Sequence, residues 1–497
     1  MSKFHAFLSS TDVPSSSKYI SNMDFRYIFR GYTKRIGFDT DGWNSKGGYK
    51  KTVSSTVRAM MTHKTNSVCR SLSESSQSID RKSITLVRHG QSTWNEQGRI
   101  QGSSNISVLT ELGESQALKA GEYLKEDRFE YCLRSPLKRA QRTAEIIWNS
   151  NAHVKCTTDD SDSDDNEPTV PRMDALDELR EIDLYAFQGL YKNDTETIEK
   201  NFKESYRQWK QSPEQFEVSG HFPVIELWER GDRCWRDYIF PVLAKENVGS
   251  LLVVAHNAVN QSLLAFALEL GPEFFRRILQ SNCGVSKLEV SKSSSSSSSS
   301  SENSNYLSLI KLNQTGDGKI PIKATEEKRY IVIVASDKKN SNEQMMNETM
   351  DEINSIHTLL ANVTFTKIVS CKSREKSSST INDEEECVLT KGLAAMFKQQ
   401  QQQRQQQQKP KQHHVMSYMK LDADQSNESI QSLALESSGN VLVVASDIKA
   451  CSQIVSSAFS VSLDVSERIK VRPGEGVTII DVSKGYEKSC LNCVNFS

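Results

Sequence analysis

Two of the nine histidines end two similar stretches, 167 residues apart: Ile84-Thr-Leu-Val-Arg88-His89-Gly90 and Leu251-Leu-Val-Val-Ala-His256-Asn257. A neutral imidazole can attack phosphorus or carbon and carry the transferred group. Arg88, directly before the first histidine, offers a planar fork of donors that matches the oxygens of a phosphoryl group. A second arginine, Arg139, follows Ser135-Pro136. Two imidazoles and two arginines around one point would make a site for a phosphoryl group. The trio Arg-His-Gly alone is weak, and a histidine after an apolar run is more often a satisfied core residue, so the elements that carry these side chains decide the matter.

Both stretches read as buried parallel strands, which deliver the side chains at their carboxyl ends to the edge where open α/β sheets hold ligands. Leu109-Thr-Glu-Leu-Gly113 leads into a helix with Thr110 as its N-cap. Ser135-Pro136 opens another after a short strand near Tyr131–Leu133, with proline in the first turn and Leu137, Ala140, Ala144 and Ile147 at helical spacing. Arg139 thus falls in a first turn next to the sheet edge. A helix is expected near Gln261 after the second histidine. The carboxylates of Leu179-Arg-Glu181-Ile-Asp-Leu-Tyr-Ala-Phe-Gln-Gly189 are ambiguous from the residues alone.

Composition bounds the rest. With 62 basic and 63 acidic residues in 497, a formal charge of -1, the chain does not fit a nucleic-acid binder. No run of eighteen apolar residues fits a membrane span, and the first thirty residues lack the apolar stretch of a secretory signal. Ten scattered cysteines read as reduced thiols; Cys490 and Cys493 form a CxxC, a redox pair or two idle thiols in a frayed tail. The first eighty residues hold sixteen serines, twelve Lys/Arg and six Asp/Glu, the composition of an organelle transit peptide or of a disordered extension without an address. Three polar tracts read as loop inserts: acidic residues 157–167, the serine tract within 291–304, and the glutamine-rich 399–414.

Four separated motifs, Arg88-His-Gly-Gln-Ser-Thr-Trp-Asn95, Leu137-Lys-Arg139-Ala140, Leu179-Arg-Glu181 and Val254-Ala-His256, together resemble the histidine phosphatase superfamily, which includes cofactor-dependent phosphoglycerate mutases. Leu179–Gly189, Gly220-His-Phe-Pro223, Ala255–Gln261 and Leu279–Val285 are similar to the plant 2-carboxy-D-arabinitol-1-phosphatase branch, and the resemblance spans 84–290. It implies a three-layer αβα, phosphoglycerate mutase-like α/β fold with a mostly parallel sheet. It also implies His89 as nucleophile, with Arg88, Asn95, Arg139 and His256 as the clamp and Glu181 as proton donor. Gln101, Gly102 and Asn257 would face the substrate; His221 and Glu226 line the mouth or serve structure. Arginines and imidazole do the work of a metal, so no metal and no cofactor is expected.

The opening pattern returns twice more, at Tyr330–Asp337 and Val441–Asp447. Aligned with the first two stretches, Ala335 stands under Arg88, Ser336 under His89 and Ser446 under His256. The chain is therefore expected to hold residues 1–82 as a possible transit peptide, 83–315 as a catalytic domain, and 316–497 as a degenerate second copy of the fold. The alternative is that any two α/β units share such strand patterns.

The expected activity is hydrolysis of a small-molecule phosphate ester, a phosphorylated sugar acid or sugar phosphate such as 2-carboxy-D-arabinitol 1-phosphate, through a phosphohistidine. The implied compartment is the plastid stroma, with the cytoplasm as the alternative. A phosphoglycerate mutase, or a regulatory scaffold with vestigial catalysis, are the competing readings.

Overall fold

The structure, a computed structural model, describes residues 82–154, 171–292, 305–322, 328–336, 343–372, 388–407, 417–422, 439–485 and 488–497. The expected transit peptide (up to residue 81), the acidic insert and most of the serine tract lie outside them. Lys82, assigned to the extension, is instead buried. Its ammonium donates to the carbonyls of Leu243 and Lys245, which fixes the entry into the first strand.

In chain order the first elements are β1 (Ser83–Arg88), α1 (Glu111–Tyr123), β2 (Tyr131–Arg134), α2 (Lys138–Ser150), β3 (Arg172–Ala175), α3 (Thr195–Gln211), α4 (Pro223–Cys234), β4 (Ser250–Ala255), α5 (Asn257–Ala267), β5 (Val285–Lys292) and β6 (Asn305–Gln314). There follow β7 (Tyr330–Ala335), α6 (Glu343–Leu359), β8 (Phe365–Lys372), α7 (Val388–Gln407), β9 (Ser417–Asp422), β10 (Asn440–Ala445), α8 (Ile448–Phe459), β11 (Val477–Asp481) and β12 (Cys490–Phe496).

The twelve strands of the described residues form one mixed sheet in the order β3-β2-β4-β1-β5-β6-β12-β11-β7-β10-β8-β9. Strands β3, β2, β4 and β1 run parallel, whereas β5 and β6 are antiparallel to their neighbours. Beyond the β6–β12 junction the same order recurs in reverse, with every number raised by six, and each pair keeps its parallel or antiparallel sense.

Strand alternation sorts the core onto two faces. Leu251, Val253 and Ala255 face α4 and α5, while Leu252 and Val254 face Ala117, Ala120, Ala144 and Ile147 of α1 and α2. Each fully buried Leu or Val side chain contributes about 1.5–3 kcal/mol relative to exposure. These strands are therefore held from both sides, and their carboxyl ends are rigid platforms.

Local signals hold with small shifts. Thr110 caps α1 through the Gly113 amide at 3.0 Å, and Leu137, Ala140, Ala144 and Ile147 are all buried. Helix α2 begins at Lys138, later than the proline-led start expected, and Ser135 Oγ accepts from the Leu137 amide. Helix α5 begins at Asn257 rather than near Gln261, which makes His256 its N-cap residue. The glutamine run expected as a loop insert is helical as far as Gln407, as the end of α7; glutamine has adequate helix propensity, and the buried Leu389, Leu393 and Phe397 anchor the preceding turns. Cys490 and Cys493 lie in β12 rather than in a frayed tail, and burial pushes their thiols up, to about 12 at Cys490 and higher still at Cys493.

Candidate active site

Strands β1 and β4 are parallel neighbours in register, Arg88 opposite Ala255, so the two histidines that follow them emerge side by side. Their rings meet edge to face with centroids 5.1 Å apart. The chain can turn sharply after His89 because Gly90 and Gly113 pack backbone to backbone. A Cβ on Gly90 would stand 2.3 Å from the Gly113 carbonyl oxygen. The Gly90 amide donates to Thr143 Oγ1 of α2 at 3.2 Å, which ties the loop to the helix that carries Arg139.

The His89 ring is oriented by its own turn. Nδ1 lies 2.6 Å from the Gly90 carbonyl, an acceptor, so Nδ1 carries the proton and Nε2 presents a lone pair. Arg139 Nε donates toward that Nε2 at 3.3 Å. The remaining Arg139 nitrogens donate to the carbonyls of Ser104 (2.7 Å) and Gly102 (3.0 Å), and the side chain is fully buried. Gly102 thus enters the site through its carbonyl. Its φ of +53° and the Gln188 side chain packed against its α-carbon leave no room for a larger residue.

Arg88 Nη1 donates to the Gln280 carbonyl at 2.7 Å, while its Nε is buried without a hydrogen-bond partner. His256 Nε2 is 2.7 Å from Ser135 Oγ, and its Nδ1 is likewise unpartnered. Among the described residues neither Arg88 nor Arg139 forms a salt bridge. Burial draws both guanidinium pKa values down, Arg139 to about 10. Burial, with the charges of Arg139 and Arg88, holds His89 well below its ordinary value; burial, Arg139 and the His89 ring do the same for His256. Two neutral imidazoles beside two desolvated cations, neither in a salt bridge among the described residues, form a preorganised anion site.

Glu181 lies in the turn between two single 3-10 turns, Asp177–Leu179 and Tyr185–Phe187. Its carboxylate accepts from the amides of Ile182 (3.0 Å), Ala258 (3.0 and 3.2 Å) and Val259 (3.3 Å), at the N-terminus of α5. Arg230 of α4 holds the segment from behind by donating to the carbonyls of Arg180 and Glu181.

The other expected residues sit at the rim. Asn95 Oδ1 is taken up by Ser92 and by Asn282 Nδ2, so any contact of Asn95 with an anion comes from its own Nδ2. Gln101 Oε1 is 2.9 Å from Ser92 Oγ, and Asn257 Oδ1 accepts from Gln261 Nε2. His221 and Glu226 pair with each other at 3.0 Å, under Tyr185, whose ring stacks on the imidazole and whose hydroxyl donates to Glu226.

Sequence reasoning missed Ser135, Asn282 and the carbonyls of Ser104 and Gln280. Asn282 Nδ2 donates to the His89 carbonyl at 3.1 Å. Nothing in residue type marks a carbonyl as a ligand for arginine, whereas the Leu279–Val285 motif did point to the Asn282 segment.

The model of the histidine phosphatase superfamily (branch 1) matches residues 84–161 and 166–301. A probable 2-carboxy-D-arabinitol-1-phosphatase of Arabidopsis thaliana is 47 % identical over 234 residues, 47 % of this chain and 42 % of the relative. The 2-carboxy-D-arabinitol-1-phosphatase of Triticum aestivum is 41 % identical over 266 residues, 53 % and 47 % of the two chains. The chain therefore spans less than half the length of these two relatives. The 2,3-bisphosphoglycerate-dependent phosphoglycerate mutase 2 of Gloeobacter violaceus is 31 % identical over 203 residues, 40 % of this chain and 82 % of that protein. Matched in all these motifs and over most of a complete relative, the chain belongs to the histidine phosphatase superfamily.

Proposed function

We propose that this protein is a phosphatase that hydrolyses a phosphorylated sugar acid or sugar phosphate, with 2-carboxy-D-arabinitol 1-phosphate the first compound to test, through a phosphohistidine at His89. The observation that carries this reading is the contact of Arg139 Nε with His89 Nε2, beside the unpartnered Arg88 Nε and His256 Nδ1. An entering phosphoryl group would replace the imidazole as the acceptor of that Arg139 donor while Nε2 attacks phosphorus.

In the first step the Nε2 lone pair forms the N–P bond, the ester P–O bond breaks, and the alkoxide takes a proton from the Glu181 carboxyl. In the second, water attacks phosphorus, Glu181 takes a proton from the water, and phosphate leaves with the electron pair returned to Nε2. Arg88 and Arg139 neutralise the equatorial oxygens throughout, and the neutral His256 donates a hydrogen bond to one of them. Asn95 Nδ2, Gln101 and Asn257 would meet the rest of the substrate.

The recurrence of the strand order supports reading residues 83–315 as the catalytic domain and 316–497 as a second, degenerate copy. The serines at 336 and 446 cannot act as His89 and His256 do. A plastid location is proposed from the serine-rich, acid-poor first eighty residues; import into isolated plastids with loss of that segment tests it.

The activity is tested by phosphate release from a panel of phosphorylated sugar acids and sugar phosphates. If 2-carboxy-D-arabinitol 1-phosphate and its relatives all release no phosphate, the phosphatase reading fails. The similarity to the mutase favours one second reading, and equilibration of 3- and 2-phosphoglycerate without net phosphate release would support it.

A further inference from the structure

The segment Arg277–Cys283 has one end on the second half of the sheet and the other on the catalytic residues. At its start, Arg277 and Leu279 clasp Leu491 of β12: the Leu491 amide donates to the Arg277 carbonyl (2.7 Å) and the Leu279 amide donates to the Leu491 carbonyl (2.9 Å). The Arg277 side chain donates to the carbonyls of Ser489 (2.9 Å) and Phe459 (2.6 Å), and its guanidinium lies over the Phe274 ring. In the middle, Asn313 ties the Ser281 amide to the Asn492 carbonyl. At its end, Gln280 supplies the carbonyl that orients Arg88, Asn282 donates to the His89 carbonyl, and the Cys283 amide donates to the Arg88 carbonyl at 3.1 Å. Only Ile278 and Leu279 separate Arg277 from Gln280, whose carbonyl orients Arg88.

From this geometry we infer that Arg277 is a positioning residue. Through it the second half of the chain, by way of Phe459 and Ser489–Leu491, sets the Gln280 carbonyl and hence the direction of the Arg88 guanidinium. This rests on the phosphoryl-binding role of Arg88 in the reading above. It assigns to the half that lacks both histidines a part in the chemistry of the other half.

The interface contains its own control. Arg468 occupies a matching place on the opposite side: the Leu309 amide donates to its carbonyl (2.7 Å), the Lys470 amide donates to the Leu309 carbonyl (2.9 Å), and its side chain pairs with Glu269 at 2.7 Å. The segment that follows Arg468 runs to Asn495, where Oδ1 accepts from the Arg472 amide, whereas the hydrogen bonds that reach Arg88 and His89 come from the Arg277–Cys283 side. Loss of either arginine weakens the junction, but only loss of Arg277 reaches the clamp.

The test uses full-length protein carrying Arg277→Ala, Arg277→Lys or Arg468→Ala, with the melting temperature, inorganic phosphate affinity by calorimetry, and kcat and KM on the best ester measured for each. The expected result is a comparable fall in melting temperature for the two alanine variants. Phosphate affinity and kcat should fall by on the order of tenfold to a hundredfold for Arg277→Ala alone, the range for a group displaced by about an ångström. Lysine, which cannot span both carbonyls, should also lose affinity, and it decides the matter if the alanine variant does not fold. Equal phosphate affinity in the Arg277 and Arg468 variants, or a wild type that binds no phosphate, overturns the inference. A wild type that binds phosphate but hydrolyses no ester removes the phosphatase reading and leaves the calorimetric comparison to decide the role of Arg277.

Discussion

Glu181 and Ala258 are joined by a carboxylate that receives the amide of the second residue of the helix behind His256, at 3.0 and 3.2 Å. One residue of the pocket is thereby both helix cap and candidate proton carrier. Its two roles separate by mutation. Glu181→Gln keeps an oxygen for the amides but has no proton to give, so kcat/KM, which reports phosphoenzyme formation and not its hydrolysis, should fall by about 10²–10⁴ on sugar phosphates, whose alkoxides need protonation. The loss should be far smaller on p-nitrophenyl phosphate, whose leaving group needs no proton. Equal losses on both esters would remove Glu181 from the acid role. Glu181→Ala should in addition lower stability by about 1–2 kcal/mol, as loss of a helix cap does, read by chemical denaturation.

His89→Asn should lower turnover by on the order of 10³-fold or more, as removal of a nucleophile does. It should also abolish labelling by a radioactive phosphate ester quenched during turnover. The label, if acid-labile and lost in this variant, identifies a phosphohistidine; an undiminished label would place the nucleophile elsewhere.

Arg139 has three donors, aimed at His89, Ser104 and Gly102, in a planar fork that lysine cannot reproduce. Arg139→Lys should therefore be nearly as damaging as Arg139→Ala, each reducing kcat/KM by about 10²–10³. Steady-state kinetics on one ester settles it, and a lysine variant within threefold of wild type would mean that a point charge suffices.

The pH dependence has a definite sign. His89 and His256 stay neutral in the folded protein at pH values where the unfolded chain takes up protons, because burial and nearby guanidinium groups hold both well below their ordinary value. Stability from these two groups is thus complete above about pH 6.5 and lost as the pH falls through the window beneath it, by up to about 1.4 kcal/mol per pH unit for each imidazole. Urea unfolding between pH 5 and 7.5 should show this slope, and His256→Gln should reduce it. A slope that survives loss of both imidazoles would assign the acid sensitivity to other groups.

Gly90→Ala tests the backbone contact under the catalytic turn. With 2.3 Å between the new Cβ and the Gly113 carbonyl, α1 must move away from the loop. The variant should lose stability by about 1–3 kcal/mol, as overpacking does, together with most of its activity. Retention of both would show that the helix yields easily.

The sequence alone determined which residues could do chemistry and which elements would carry them. The short apolar runs before His89 and His256 read as buried strands that deliver the histidines at their carboxyl ends, and the spacing of Leu137, Ala140, Ala144 and Ile147 fixes which side of α2 faces the sheet. Such signals are local, written in periodicities of two and 3.6. The tertiary structure decided what depends on bringing distant segments together. That β1 and β4 are neighbours in register, so that the two imidazoles meet at 5.1 Å, is a property of strand order. That Arg139 reads the carbonyls of Gly102 and Ser104, and Arg88 that of Gln280, could not be foreseen, because every residue has a carbonyl and only the path of the chain selects one. The joining of β6 to β12 into one sheet, which places Leu491 against Arg277, was hidden for the same reason: main-chain hydrogen bonds carry no side-chain signature.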